Sequence, residues 1–188
     1  MKFSLVTVTF NSARTFRDTI NSVLSQTYQD LEYIIVDGLS SDGTVEIIKE
    51  YESLFCGRMK WISEKDYGLY DAMNKGFRMA TGEIVGIINS DDLIADPAAI
   101  EKVVKCFEDD GSIDAVYADL YYVAQNDTSK IVRHWKSRKQ RSFTKGWHPA
   151  HPTFYVKRYI YQQYGLFDLE FKFAACLLYT SDAADDMQ

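Results

Sequence analysis

Three short runs, Phe3 to Thr9, Leu31 to Val36 and Ile84 to Ile88, are almost continuously apolar, β-branched or aromatic. Such runs fit strands buried on both faces of a parallel sheet, because a half-exposed strand would alternate. Between them the apolar period lengthens to that of a helix. Phe16, Ile20, Val23 and Leu24 repeat at i, i+4, i+7 and i+8 behind Asn11-Ser12, which can cap a helix. Val45, Ile48, Tyr51 and Phe55 form a similar stripe after Asp42-Gly43, and Ile100, Val103, Val104 and Phe107 another after Asp96-Pro97. Strand then helix, repeated, predicts right-handed βαβ units.

A further helix is expected over 70–80. Tyr70, Met73, Phe77 and Ala80 make its apolar stripe, with Asp71, Asn74, Lys75 and Arg78 as a polar stripe beside it. That polar stripe fits a solvated outer face as well as a ligand-facing one. Downstream, Asp114 to Tyr122 and Lys130 to Trp135 read as strands around the turn-prone Gln125-Asn126-Asp127-Thr128, an antiparallel addition to the parallel half. Lys136 to Lys145 is basic and without period, which suits a solvated loop or a phosphate- or membrane-facing lid. The fold class expected is α/β, a doubly wound, mostly parallel sheet with an antiparallel addition in the C-terminal half.

Composition narrows the function. With 188 residues, 46% of them hydrophobic, and no internal repeat or linker, one domain with a real core is expected. A formal charge of −6 argues against a dedicated nucleic-acid binder, since phosphate backbones are held by clustered Lys and Arg, yet it allows a nucleotide held through a metal. Cys56, Cys106 and Cys176 are odd in number and share no metal-ligand spacing, which favours a reducing cytosolic compartment. The apolar N-terminus lacks a clean cleavage site and reads as a first strand. No apolar run reaches the length of about 18 residues that a membrane-spanning helix needs, and peripheral membrane contact stays open. The 14% aromatic content suits a sugar or base site and equally an aromatic core.

In an open α/β sheet the ligand crevice lies beyond the carboxyl ends of the strands. Thr9, Phe10 and Asn11 follow the first strand, Asp37-Gly38 and then Asp42 the second, and Asn89-Ser90-Asp91-Asp92 the third apolar run, so three consecutive strand ends are expected to converge on one rim. Carboxylates suit a base edge and ribose hydroxyls directly. They suit a diphosphate only through a hard cation such as Mg²⁺ or Mn²⁺, which would also stabilise a departing diphosphate. Asp91-Asp92 could cap a helix, but Asp96 followed by Pro97 at an expected first helical position supplies that start, which leaves the pair for metal or ribose. Asp37 fits base recognition or a turn. Asp42, Thr9 and Asn11 fit capping as well as ligand contact. There is no G-x-x-x-x-G-K-[ST] loop, no G-x-G-x-x-G turn and no G-x-S-x-G elbow, which argues against kinase-type, dinucleotide and Ser-hydrolase sites.

Six ordered blocks together resemble the family-two inverting glycosyltransferases of GT-A fold, particularly bacterial members that build cell-surface polysaccharides. They are Val8-Thr9-Phe10-Asn11, Val36-Asp37-Gly38 with Ser41-Asp42-Gly43-Thr44, Ser63 to Gly76, Ala80-Thr81-Gly82-Glu83, Asn89-Ser90-Asp91-Asp92, and His148 to Phe154. The resemblance implies a nucleotide-diphosphate sugar donor, a saccharide or lipid-linked acceptor, Mn²⁺ or Mg²⁺, and a cytoplasmic site, with the inner face of the cell membrane as one place of work. It implies that Thr9, Asp37 and Asp66 border base and ribose, that Asn11, Asn74 and Lys75 lie on the nucleotide side, and that Asp91 and Asp92 hold the metal. His148 and His151 would stand on the acceptor or diphosphate side, although the adjacent prolines alone could account for that loop.

The match breaks after Ala175. Inversion needs a carboxylate to take the acceptor's proton, and the family places it shortly after the acceptor loop. Here Cys176 to Gln188 replaces the expected acidic residue, aromatic and apolar helix. This tail resembles translated foreign sequence, so residues 1–175 are expected to form an incomplete family-two domain and 176–188 a non-native tail. Such a chain would bind a nucleotide diphosphate with Mn²⁺ but transfer sugar poorly. A sugar nucleotidyltransferase would want a Gly-rich basic loop after the first strand, and a receiver-like Mg²⁺ domain an acidic pair there. Neither is present, and a non-catalytic nucleotide- and metal-binding domain is the remaining alternative.

Overall fold

The computed structural model describes residues 1–139 and 148–170. Strands β1 (Phe3–Thr9), β2 (Leu31–Asp37), β3 (Met59–Ser63) and β4 (Ile84–Ile87) alternate with helices α1 (Ala13–Leu24), α2 (Thr44–Glu52), α3 (Leu69–Met79) and α4 (Ala99–Asp109). They are followed by β5 (Ala115–Tyr117), β6 (Leu120–Ala124), β7 (Asp127–Trp135), β8 (Phe154–Lys157) and α5 (Arg158–Tyr164). The main sheet runs β3-β2-β1-β4-β8-β5, while β6 and β7 form a separate hairpin. β1 to β4 are parallel, and β8 is antiparallel to both β4 and β5.

Strict alternation along the central strands sends side chains to two cores. Phe3 and Leu5 of β1 with Leu31, Tyr33 and Ile35 of β2 meet α1, α2 and α4 on one face. Val6, Val8, Ile34 and Val36 meet α3 on the other, closed by Tyr161 and Phe167. The sheet is therefore covered on both sides, as a doubly wound fold requires.

Several expectations need correction. β3 lies between the second and third apolar runs and has no such run of its own, so the acidic loop follows the fourth strand in sequence. In space the rim still forms, because β1 sits between β2 and β4. Residues 114–122 are not one strand. Thr153 intervenes at Ala118, donating to its carbonyl oxygen (2.8 Å) and accepting from its amide (3.1 Å), and the chain leaves the main sheet there for the hairpin. β7 starts at Asp127, ahead of Lys130. β8 takes in Phe154, the end of the His148 to Phe154 block, and three residues to which the pattern assigns no element. Helix α2 ends at Glu52, and Phe55 sits in a following 3-10 turn, where it stacks on Tyr33 at 5.3 Å. Pro97 is not the first helical residue. Asp96 accepts from the Ala98 amide (2.9 Å), and α4 begins at Ala99.

At the amino ends of the strands, far from the rim, sits a buried carboxylate. Glu32, with a side chain 4% exposed, accepts from Ser4 Oγ (2.6 Å), Lys60 Nζ (2.9 Å) and the Thr81 amide (2.5 Å), and pairs with Lys2 at 3.1 Å. Ser4 Oγ in turn accepts from the Gly82 amide (2.7 Å). Burial works against its charge, yet these donors outweigh it and hold Glu32 well below the usual carboxylate range. The Ala80 to Glu83 block thus ties α3 into the sheet and lies away from any ligand.

Candidate active site

The register sets Thr9 level with Asp37 and Asp37 level with Ser63, so three strand ends lie side by side. One buried carboxylate joins them. Asp37 accepts from Thr9 Oγ1 (3.0 Å), Ser63 Oγ (2.6 Å) and both the amide (3.0 Å) and hydroxyl of Ser40. It is fully buried and offers no surface to a ligand, so the base contact expected of it is not made by the carboxylate as it stands. Thr9 is buried with it.

The loops after β1 and β2 are laced together. Asn11, in the left-handed region at φ 49°, accepts from the Ser41 amide (2.9 Å), and its own amide donates to Ser40 Oγ (2.8 Å). Asp42 accepts from the amides of Ala13 (2.9 Å) and Thr44 (3.1 Å), serving the first turns of α1 and α2 at once. Ser12 holds the capping position of α1 but makes no capping bond there. Its hydroxyl meets Ser90 Oγ at 2.9 Å and joins this layer to the acidic loop. The ambiguity between capping and contact at Asn11 and Asp42 falls here on the structural side.

Above the layer stands a residue to which the sequence pattern assigned no role. Phe10 is 66% exposed at the end of β1. A Cβ placed on Gly38 would lie 3.4 Å from its ring and 2.5 Å from Asp66 Oδ2, so the glycine admits both groups to one slot. Asp66 accepts from the Gly68 amide (2.9 Å), which fixes its turn. An exposed aromatic beside a half-buried carboxylate at a strand-end crevice suits a flat heterocycle with ring N–H groups and hydroxyls.

The α3 expectations divide. Asn74 is 2% exposed and spends its amide on the Phe167 backbone, donating to the carbonyl oxygen (2.8 Å) and accepting from the amide (2.9 Å). It does not face the rim, because its donor and acceptor are consumed in closing the second core. Lys75 reaches the Lys65 carbonyl oxygen (2.6 Å) and Glu64 (3.0 Å), with Asp71 at 3.6 Å. Partial burial opposes its charge, but Glu64 and Asp71 prevail and raise its pKa. It steadies the loop that carries Asp66.

At the end of β4, Asn89 and Asp92 close a turn, with Asn89 Nδ2 donating to Asp92 Oδ2 at 2.7 Å. Burial, with Asp91 next to it, pushes the Asp92 carboxyl above its usual range against the pull of Asn89. Asp91 is exposed, and among the described residues neither carboxylate has an ion-pair partner. A hard divalent cation would relieve that imbalance. No cluster of three or more His, Cys, Asp or Glu residues forms a cage among the described residues.

The segment after His148 completes the rim. β8 pairs antiparallel with β4, and the one-turn 3-10 element His151–Thr153 packs against β4 where the acidic loop begins. Burial lowers the pKa of His151, so its imidazole is neutral near pH 7. His148 is exposed and meets Trp135 edge to face at 5.4 Å. Of the basic stretch Lys136 to Lys145, residues 140–145 lie outside the described residues, as do 146–147 and 171–188.

This is an α/β domain whose strand-end rim carries exposed Phe10, half-buried Asp66 and the Asp91-Asp92 pair. Residues 4–178 match the model of glycosyl transferase family 2, and the chain belongs to that family. The match runs three residues past Ala175. An uncharacterized glycosyltransferase of Methanocaldococcus jannaschii is 30% identical over 162 residues, 82% of this chain and 55% of the relative. A glycosyltransferase of PGL/p-HBAD biosynthesis from Mycobacterium bovis is 30% identical over 124 residues, 66% of this chain and 48% of the relative. The chain thus spans about half the length of these relatives. The structure of S. aureus TarS 1-349 with UDP superposes with a TM-score of 0.74 at 21% identity, covering 96% of this chain and 54% of that one. The mannosyltransferase PcManGT of Pyrobaculum calidifontis with GDP-Man and Mn²⁺ gives 0.69 at 23% identity, covering 89% and 47%. The fold is GT-A-like. No helix among the described residues is long and apolar enough to cross a membrane.

Proposed function

We propose that the domain binds a nucleotide-diphosphate sugar across this rim and transfers the sugar, with inversion, to a saccharide or lipid-linked acceptor. The observation that carries the reading is the uncompensated Asp91-Asp92 pair, joined through Ser90 and Ser12 to the layer beneath the Phe10, Gly38 and Asp66 slot. The base stacks on Phe10, with Asp66 accepting from the base edge or ribose. Asp37 holds Thr9, Ser40 and Ser63 beneath them. Asp91 and Asp92 hold Mn²⁺ or Mg²⁺, which when bound offsets the charge of the diphosphate leaving group. Neutral His151 can donate to a diphosphate or acceptor oxygen without adding charge. The acceptor hydroxyl displaces the nucleotide at the anomeric carbon, and its proton goes to a carboxylate base that the family pattern places after Ala175. The first acidic residue after Glu170 is Asp182. The reaction belongs on the cytoplasmic side, where such donors are made.

Calorimetric titration of UDP and GDP, each with and without Mn²⁺, tests the reading together with product analysis on a panel of nucleotide sugars. Metal-dependent nucleotide binding is expected, with slow sugar transfer whose released product is nucleoside diphosphate. Metal-independent binding, or released pyrophosphate, overturns it.

Gly38→Ala tests the slot. The added methyl would sit 2.5 Å from Asp66 Oδ2 and displace it. A loss of about tenfold in nucleotide affinity is expected, of the size that overpacking commonly costs. Unchanged affinity would remove Asp66 from the site.

A further inference from the structure

On the hairpin side lies a cleft of about 490 Å³, lined by Tyr117, Arg133, Trp135, Lys136, Arg138 and His148 among others, and among the described residues by no Asp or Glu. This is unusual in a chain of formal charge −6. Residues 128–167 hold nine Lys and Arg and no acidic residue. Among the described residues, no carboxylate lies within ion-pair distance of Arg133 or Arg138, while Asp119, bonded to the Ser137 amide at 2.8 Å, stands close enough to Lys136 for their charges to attract. The Arg133 guanidinium lies over the rings of Tyr122 (5.3 Å) and Trp135 (5.9 Å), which fixes its plane and leaves its forked donors unspent. His134 is steadied by Asp119 at 2.7 Å and by the Tyr121 ring at 4.4 Å. The Trp135 indole, braced edge to face by His148, supplies an apolar wall.

Forked cations match a phosphoryl group, and an aromatic wall matches the apolar face of a sugar ring. The place is informative as well. Pro149 and Ala150 line the cleft, and the next residue is His151, in the turn that packs against β4 at the acidic loop. A ligand seated here has one end near the donor rim. The far end of the hairpin reaches the same rim, since Gln125, oriented with its amide oxygen toward Arg14, accepts from Nη1 at 2.7 Å.

We infer that this cleft is the acceptor subsite and that the acceptor is a saccharide carrying a phosphoryl group. The assignment as acceptor subsite rests on the transferase reading, whereas the ligand class rests on the cleft alone. Arg133, Lys136 and Arg138 hold the phosphoryl oxygens, Trp135 and His148 hold the ring, and a free hydroxyl points to the rim.

The test is calorimetric titration of the whole chain with glucose 6-phosphate, glucose, inorganic phosphate, and phosphatidylglycerol vesicles. UDP with Mn²⁺ is titrated in parallel. Glucose 6-phosphate should bind about tenfold or more tightly than glucose or phosphate. Arg133→Gln should weaken it about tenfold and leave UDP binding with Mn²⁺ unchanged. Should Arg133→Gln loosen the hairpin, Arg138→Gln gives the same readout. Equal binding of glucose and glucose 6-phosphate, or of variant and wild type, overturns the inference, as does inorganic phosphate binding as tightly as the sugar phosphate. Vesicle binding that glucose 6-phosphate does not displace assigns the cations to a membrane surface and also overturns it. If UDP with Mn²⁺ fails to bind while glucose 6-phosphate behaves as expected, the cleft's ligand class stands and the transferase reading falls.

Discussion

Asp92→Ala should abolish metal-dependent nucleotide binding, weakening UDP with Mn²⁺ by about a hundredfold or more while leaving the thermal midpoint close to that of the wild type. The reason lies in how the carboxylate is placed. It is half-buried, raised in pKa by burial and by Asp91, and supported by one amide donor from Asn89. A carboxylate kept for stability would be surrounded by donors, as Glu32 is. Removing Asp92 relieves repulsion with Asp91 and leaves only the Asn89 amide unpaired, which can turn toward water. Titration of UDP with and without Mn²⁺ separates the outcomes. Equal affinity for the metal complex in variant and wild type would take Asp92 out of the site, and a large drop in thermal midpoint would make it structural.

Glu32→Ala should do the opposite, leaving nucleotide affinity per folded molecule intact while costing about 2–4 kcal/mol of stability through its orphaned hydrogen-bonding partners. The change orphans the buried Ser4 hydroxyl and the part-buried Thr81 amide and hydroxyl, while the half-exposed Lys60 ammonium turns to water. For a chain of this size that is a fall in melting temperature of roughly 10 °C. The sign with pH follows from linkage. The folded pKa of Glu32 lies below its unfolded value near 4.5, so its stabilisation is fully present above that value and is lost as pH falls toward the folded value. The gap in melting temperature between variant and wild type should be constant near neutrality and shrink below about pH 4. A gap that widens on acidification would contradict the assignment.

The parts of the fold carried by long one-sided or fully buried runs were readable. β1 and β2 are apolar on both faces because helices cover both, and α1 and α4 show clean stripes because each meets one core. β3 was not readable. It is an edge strand of five residues in which only Met59 is buried, so Lys60, Trp61 and Ser63 blur any pattern. β8 has four residues and follows a proline-containing turn. Its strand character comes from pairing with β4, which no local signal encodes.

At the site, the acidic loop was legible because carboxylates without a capping duty stand out at a strand end. Asn74 was not, since its partner Phe167 lies 93 residues away and a polar position on an amphipathic helix looks alike whether it faces ligand or backbone. Phe10 had a usable signal, an aromatic residue just past a strand end, but a large apolar residue there reads first as the strand's last residue. Asp37 shows the limit of composition. A buried carboxylate that joins three strand ends and an exposed one that touches a base are the same letter in the same place.

The pairing of Asn74 with Phe167 also bears on how the chain is made. The face of α3 that carries Asn74 and Phe77 has its covering partners, Tyr161 and Phe167, almost a hundred residues later. At ordinary rates of protein synthesis those 93 residues take on the order of 5–20 s to appear. During that interval the α3 face stays without its aromatic cover and the Asn74 amide without its backbone partner, so the second core closes only after Phe167 has been made.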